Sequence, residues 1–120
     1  MSKRKDQALL TDIQICINKI KTFTEGMTAT DFDDDDKTQD AVIRNLEVIG
    51  EATKSLSEDI LGTYADIPWH AIARTRDKLI HHYFGVNLDT VWQIVRNEIP
   101  RLSETVDQAL KAYEDSGEEN

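Results

Sequence analysis

With 120 residues, the chain has room for one domain with its own core and too little for two. Hydrophobic residues make up 39% and charged residues 31%, with 14 basic against 23 acidic side chains and a net charge of -9, a balance that excludes a protein coating nucleic acid through its bulk field. A single cysteine, Cys16, excludes an internal disulfide and a cysteine-based zinc site, and no stretch approaches the ~20 apolar residues of a membrane span.

The N-terminus runs from Lys3, Arg4 and Lys5 into Asp6 and Gln7 without a long apolar region, so no signal peptide is expected and the cytoplasm is the default compartment. From there Leu9, Leu10, Ile13, Cys16, Ile17, Ile20 and Phe23 recur at spacings of three and four, predicting a helix over roughly 5–25 that ends near Gly26. Residues 27–38 carry Asp31 and the run Asp33 to Asp36 and are expected to form an acidic loop with at most a turn of helix. A second helix over roughly 38–57 places Val42, Leu46, Ile49, Ala52, Thr53 and Leu56 on one side. Ala41, Ile43 and Val48 widen that arc, which predicts contact with more than one neighbour.

A linker follows through Gly62, and Asp66-Ile67-Pro68-Trp69 reads as a helix start with proline in the first turn. This third helix is expected to run to about His82 and stop before Gly85. Asn87 is a plausible N-cap for a fourth, whose stripe runs through Leu88, Val91, Trp92, Val95, Ile99, Leu102, Val106, Ala109, Leu110 and Tyr113. Pro100 interrupts that stripe without shifting its phase, predicting one kinked helix or two nearly collinear ones. No alternating strand pattern and no internal repeat is present. The expected fold is all-α, a four- to five-helix bundle in one domain over residues 1–120, with a core of about 8–113 and short polar tails.

Chemistry concentrates in the third helix. All three histidines, His70, His81 and His82, share one window with Arg74, Arg76 and Lys78, opposed only by Asp77. On a helical wheel Arg76 lies near the centre of the apolar arc formed by Trp69, Ile72, Ala73, Leu79, Ile80 and Tyr83. An arginine there should be buried, and a buried charge needs a partner. Two readings remain open at this point: a structural ion pair with Glu47 or Glu51, or a cleft or subunit interface that must hold an anion. His81 is five residues on, about 140° away, so spacing alone does not put it on the face of Arg76. Asp77 and His81 are four apart and can face each other, so Asp77 can orient the imidazole. They are spaced as metal ligands could be, but no third ligand lies nearby. Cys16 sits on an apolar stripe, where a free cysteine is usually inert filling, and no glycine-rich phosphate loop is present.

The octet Arg76-Asp77-Lys78-Leu79-Ile80-His81-His82-Tyr83 has the form Arg, four residues, His, one residue, Tyr. It resembles the signature of the HepT-like toxins of the HEPN superfamily. The stretch Ala41-Val42-Ile43-Arg44-Asn45-Leu46-Glu47-Val48-Ile49-Gly50-Glu51-Ala52 is similar to the family's second-helix block. Ile67-Pro68-Trp69 precedes the motif and Phe84-Gly85-Val86-Asn87-Leu88-Asp89-Thr90-Val91-Trp92 follows it, in the family's order, so the resemblance covers roughly residues 8–113.

The resemblance implies a homodimeric helical bundle in which the arginine and histidine of both subunits line a shared cleft. It implies a metal-independent RNA endonuclease without a cofactor, leaving 2′,3′-cyclic phosphate ends and serving as the toxin of a type II toxin-antitoxin system. The implied partner is an antitoxin of the minimal nucleotidyltransferase (MNT) type that adds AMP to the motif tyrosine. Carried over residue by residue, it implicates Arg76 and His81 in catalysis and Tyr83 in AMPylation. Asp77 is a supporting residue, standing where the family usually has a polar residue, often asparagine. The alternative is a non-catalytic helical dimer that binds, and is modified by, a nucleotidyltransferase.

Overall fold

The computed structural model describes residues 2–81 and 87–115, leaving the side chains of residues 2, 3, 80 and 81 outside that description. Helix α1 spans Ser2–Thr24. Its stripe of Leu10, Ile13, Ile17 and Ile20 is at most 1% exposed, and the chain leaves the helix through Gly26, whose φ of 76° lies in the left-handed region open to glycine. The acidic segment then makes a short helix, α2, over Ala29–Asp33. Two local features explain it. Thr28 and Asp31 form a reciprocal capping box, with bonds of 3.1 and 3.0 Å. Phe32 is driven fully inside, where its ring meets that of Trp92 at a centroid distance of 5.2 Å.

The Gln39 amide donates to the carbonyls of Phe32 and Asp33 and so closes the open end of α2. Helix α3, Asp36–Lys54, is capped by Asp35, which accepts from the Thr38 backbone N–H at 3.0 Å and the Thr38 hydroxyl at 2.7 Å. The widened apolar arc of α3 packs against α1 on one side and α5 on the other, so its width is accounted for within one chain. Where the sequence reads as a linker, the protein forms helix α4, Glu58–Thr63, capped by Ser57 and held inward by Ile60. Asp6, only 3% exposed, supports that cap from α1: its carboxylate accepts from the Ser57 N–H at 2.9 Å and the Ser57 hydroxyl at 2.5 Å.

Helix α5 spans Trp69–His81, with the Pro68 carbonyl accepting the first bond, from Ile72 N–H. Pro68 thus stands at the cap and not inside the first turn. Trp69 Nε1 donates to the Tyr64 carbonyl and fixes the entry to α5. The expected stop before Gly85 lies outside the described residues. Asn87 caps α6, Leu88–Gln93, accepting from the N–H groups of Asp89 and Thr90 at 2.9 and 3.2 Å.

The helical run continues through a π turn, Ile94–Glu98, into α7, Ile99–Asp115. In the π turn the N–H of Ile99 reaches back five residues to the carbonyl of Ile94. Pro100 explains it: its ring would clash with the carbonyl four residues back, and a wider turn opens room. The stripe keeps its phase through the turn, with Val95, Ile99, Leu102, Val106 and Ala109 all buried. Among the described residues the protein is all-helical, with four long rods (α1, α3, α5 and the α6–α7 run) and two short helices. No helix of the described residues is long and apolar enough to cross a membrane.

Candidate functional site

The site begins at the crossing of α3 and α5. Gly50 is a buried glycine in the interior of α3, and a Cβ added there would fall well inside contact distance of Arg76 Cβ and 3.2 Å from the Ile72 carbonyl oxygen. Only a residue without a side chain lets the helices approach this closely, and the approach seats the root of Arg76 against the α3 backbone. The side chain then turns outward. Arg76 is 28% exposed, half-buried and not buried as its place in the arc predicts, because its long stem carries the guanidinium to the rim.

At the rim Arg76 Nε lies 3.1 Å from Glu51 Oε1, and its Nη1 lies 3.0 Å from Asp77 Oδ1. Of the two glutamates the wheel offers, Glu51 is the partner. A shallow cavity of about 340 Å³ opens beside it, floored by Leu9 and Val48 and edged by Arg44, Glu47, Glu51 and Arg76. Arg44 and Glu47 form a looser pair, 3.8 Å apart one turn up α3.

Asp77 accepts a second bond at the same oxygen, from Lys54 Nζ at 2.9 Å. The Lys54 ammonium, and after it the Arg76 guanidinium, hold the Asp77 carboxyl below its ordinary value, so it is ionised at neutral pH. His81 stands at the last residue of α5, one turn beyond Asp77 along the helix. Its imidazole lies outside the described residues, as do His82 and the whole of Tyr83.

The cationic window therefore divides. Arg76 belongs to the helix crossing, whereas His70, Arg74 and Lys78 are exposed on the solvent side of α5. Cys16 is buried on α1, and burial pushes its thiol pKa up, as expected of filling and not of a nucleophile. Two contributors escaped the reading from sequence. Gly50 had a signal, a lone glycine inside a strongly periodic helix. Lys54 had none, being 23 residues from Asp77.

Residues 13–109 match the family model described as ribonuclease HepT-like. A protein of Methanocaldococcus jannaschii named "Putative RNase MJ0127" is 47% identical over 98% of this chain and 98% of its own length. "Probable ribonuclease HepT" of Thermococcus cleftensis is 47% identical over 83% of this chain and 91% of its own length. "Putative RNase TTE0752" of Caldanaerobacter subterraneus subsp. tengcongensis is 38% identical over 86% and 88%. No solved structure matches the chain. With a family model spanning most of its length and relatives matched nearly end to end, the chain belongs to the HepT-like ribonuclease family.

Proposed function

We propose that this protein is a metal-independent endoribonuclease, acting as a homodimer and as the toxin of a type II toxin-antitoxin pair. The observation that carries the reading is Arg76, seated by Gly50 at the helix crossing with its guanidinium turned to a solvent-facing rim, five residues ahead of His81 on the same helix. The RNA 2′-hydroxyl attacks the adjacent phosphorus while the P–O5′ bond breaks, giving a 2′,3′-cyclic phosphate and a 5′-hydroxyl. His81 of one subunit takes the proton of the 2′-hydroxyl, and the second copy returns one to the leaving 5′-oxygen. Arg76 holds the non-bridging oxygens as charge grows on them. Asp77, a supporting residue, holds the neighbouring cations in the free protein until a phosphate takes its place. The incomplete cover of α5 supports a second subunit over that face, with Ile72, Ala73 and Thr75 all half-buried within one chain.

Regulation in this reading is chemical. An MNT-type nucleotidyltransferase transfers AMP from ATP to the Tyr83 hydroxyl, releasing pyrophosphate and a proton, and the added phosphate pairs with Arg76 and blocks the site. A second reading, a non-catalytic dimer that serves as the nucleotidyltransferase's substrate, draws on one observation: Arg76 is already met by two carboxylates, Glu51 and Asp77.

The deciding experiment incubates chelator-treated protein with RNA. Wild type should cut and leave cyclic phosphate ends, and His81→Ala and Arg76→Ala should stay folded and lose activity. A positioned acid or base contributes about 10²–10⁴-fold, so the His81 loss should be of that size. A His81→Ala protein cutting at the wild-type rate would remove the mechanism. Co-expression with a cognate MNT-type nucleotidyltransferase should add one or more AMP units at Tyr83, and Tyr83→Phe should escape.

A further inference from the structure

Two cations from different helices converge on one oxygen. Lys54, the last residue of α3, donates to Asp77 Oδ1 at 2.9 Å, and Arg76 donates to that same atom at 3.0 Å. The ammonium and guanidinium nitrogens are therefore at most about 5.9 Å apart, the sum of the two contacts. An anionic oxygen held between an ammonium and a guanidinium is how proteins hold phosphate.

All three side chains are reachable from solvent: Lys54 is 38% exposed, Asp77 43% and Arg76 28%. Ion pairs so exposed contribute little and exchange readily for a better anion. A phosphodiester is such an anion, since its two non-bridging oxygens can meet the Nη1 side of Arg76 and the Lys54 ammonium together while Glu51 keeps the Nε side. Exchange of one singly charged anion for another leaves the charge on the cations unchanged, while Asp77 turns to water.

We propose that Lys54 and Arg76 form a two-cation clamp for a backbone phosphate of single-stranded RNA. Lys54 is then a phosphate-binding residue of the site, and Asp77 Oδ1 stands in the free protein where a phosphate oxygen is held. The inference rests on the ribonuclease reading and adds a substrate contact on a second helix. It also gives an acidic chain a local means of gripping a polyanion.

The test reads binding apart from cleavage. A fluorescein-labelled ten-nucleotide 2′-O-methyl RNA lacks the attacking hydroxyl, so anisotropy titrations over a range of salt report affinity alone. Lys54→Gln should bind about five- to tenfold more weakly and lower the salt slope by about 0.7, the share of one phosphate contact on a single strand. Lys111→Gln, the same charge change at an exposed position of α7, should leave the slope unchanged. Asp77→Asn should bind several-fold more tightly, and circular dichroism of each variant should match wild type. The clamp is overturned if Lys54→Gln matches Lys111→Gln, if Asp77→Asn fails to tighten binding, or if wild type does not bind this RNA. The nuclease reading fails separately, if wild type binds with this dependence on Lys54 yet leaves the matching 2′-hydroxyl RNA intact.

Discussion

Helices α1 and α5 carry apolar stripes of similar spacing, and the fold treats them differently. On α1 the middle of the stripe is fully covered, with Leu10, Ile13 and Ile20 at 0% exposure and Ile17 at 1%, packed against α3 and α7, whereas Leu9 is half-buried and Phe23, expected on the stripe, is 40% exposed at the helix end. Among the described side chains of α5, Trp69 and Leu79 are buried, while Ile72, Ala73, Thr75, Arg76 and Asp77 are all half-covered. An apolar trough of about 200 Å³ also runs between α3, α5 and the π turn, past Ile49, Ile72 and Ile94. The middle of the α1 stripe serves the core. The described part of the α5 stripe serves it less fully, with Ile72 and Ala73 half-covered and the charged Arg76 set among them.

The largest effect that would sharpen this contrast is on stability. Ile17→Ala should cost about 2–5 kcal/mol, because a fully enclosed side chain leaves a cavity that its neighbours cannot close. Ile72→Ala should cost roughly 1 kcal/mol, in keeping with half-burial. Urea denaturation of the two variants compares them directly, and equal losses would erase the distinction between the helices.

A smaller effect probes the crossing itself. Gly50→Ala gains up to about 1 kcal/mol of helix propensity, but it forces a methyl group into Arg76. Overpacking of that kind costs about 1–3 kcal/mol, and with Arg76 Cβ so close the upper part of that range applies, so the variant should be less stable by up to roughly 2 kcal/mol. An unchanged or raised melting temperature would show that the helices do not meet as closely as described.

The smallest effect is electrostatic. Asp77, held by Lys54 and then Arg76, and Asp35, held by the Thr38 backbone and hydroxyl, both titrate below the ordinary 3.8. A carboxyl with a lowered folded pKa contributes stability that is present above 3.8 and lost as pH falls through the lower folded value. Stability should therefore decline on the acid side of pH 4, and Asp77→Asn should make that decline shallower. A melting-temperature series between pH 2 and pH 6 measures it, and an identical slope in the variant would assign Asp77 no part.

The long helices were legible because each carries a stripe whose spacing of three and four persists over many turns, as Ile13, Ile17 and Ile20 do on α1. Asn87 was legible because a cap needs only its own side chain and the next few N–H groups. Helix α2 was legible only as a turn of helix in an acidic loop, and α4 not at all, since five or six residues cannot display a period; Phe32 and Ile60 settle them by burial in a core built from distant segments. In the candidate site, Arg76 stood out as a charge in an apolar arc, and Glu51 was one of two partners the wheel offered. The half-burial of Arg76 and the meeting of Lys54 with Asp77 depend on how α5 crosses α3, and that crossing depends on one glycine. Geometry between helices has no local spelling.

The buried Asp6 carries a consequence for where the foldable unit ends. The family match begins at residue 13, yet the cap of α4 rests on a carboxylate seven positions earlier. Tyr113, beyond the end of the match at residue 109, packs against the core, and its hydroxyl pKa is raised by burial and by the charge of Asp6. The first turns of α1 thus hold α4 in place, and the last turn of α7 packs on the core beyond the matched segment. A chain trimmed to the matched segment would keep every residue of the helix crossing and lose the carboxylate that caps α4 and the Tyr113 ring.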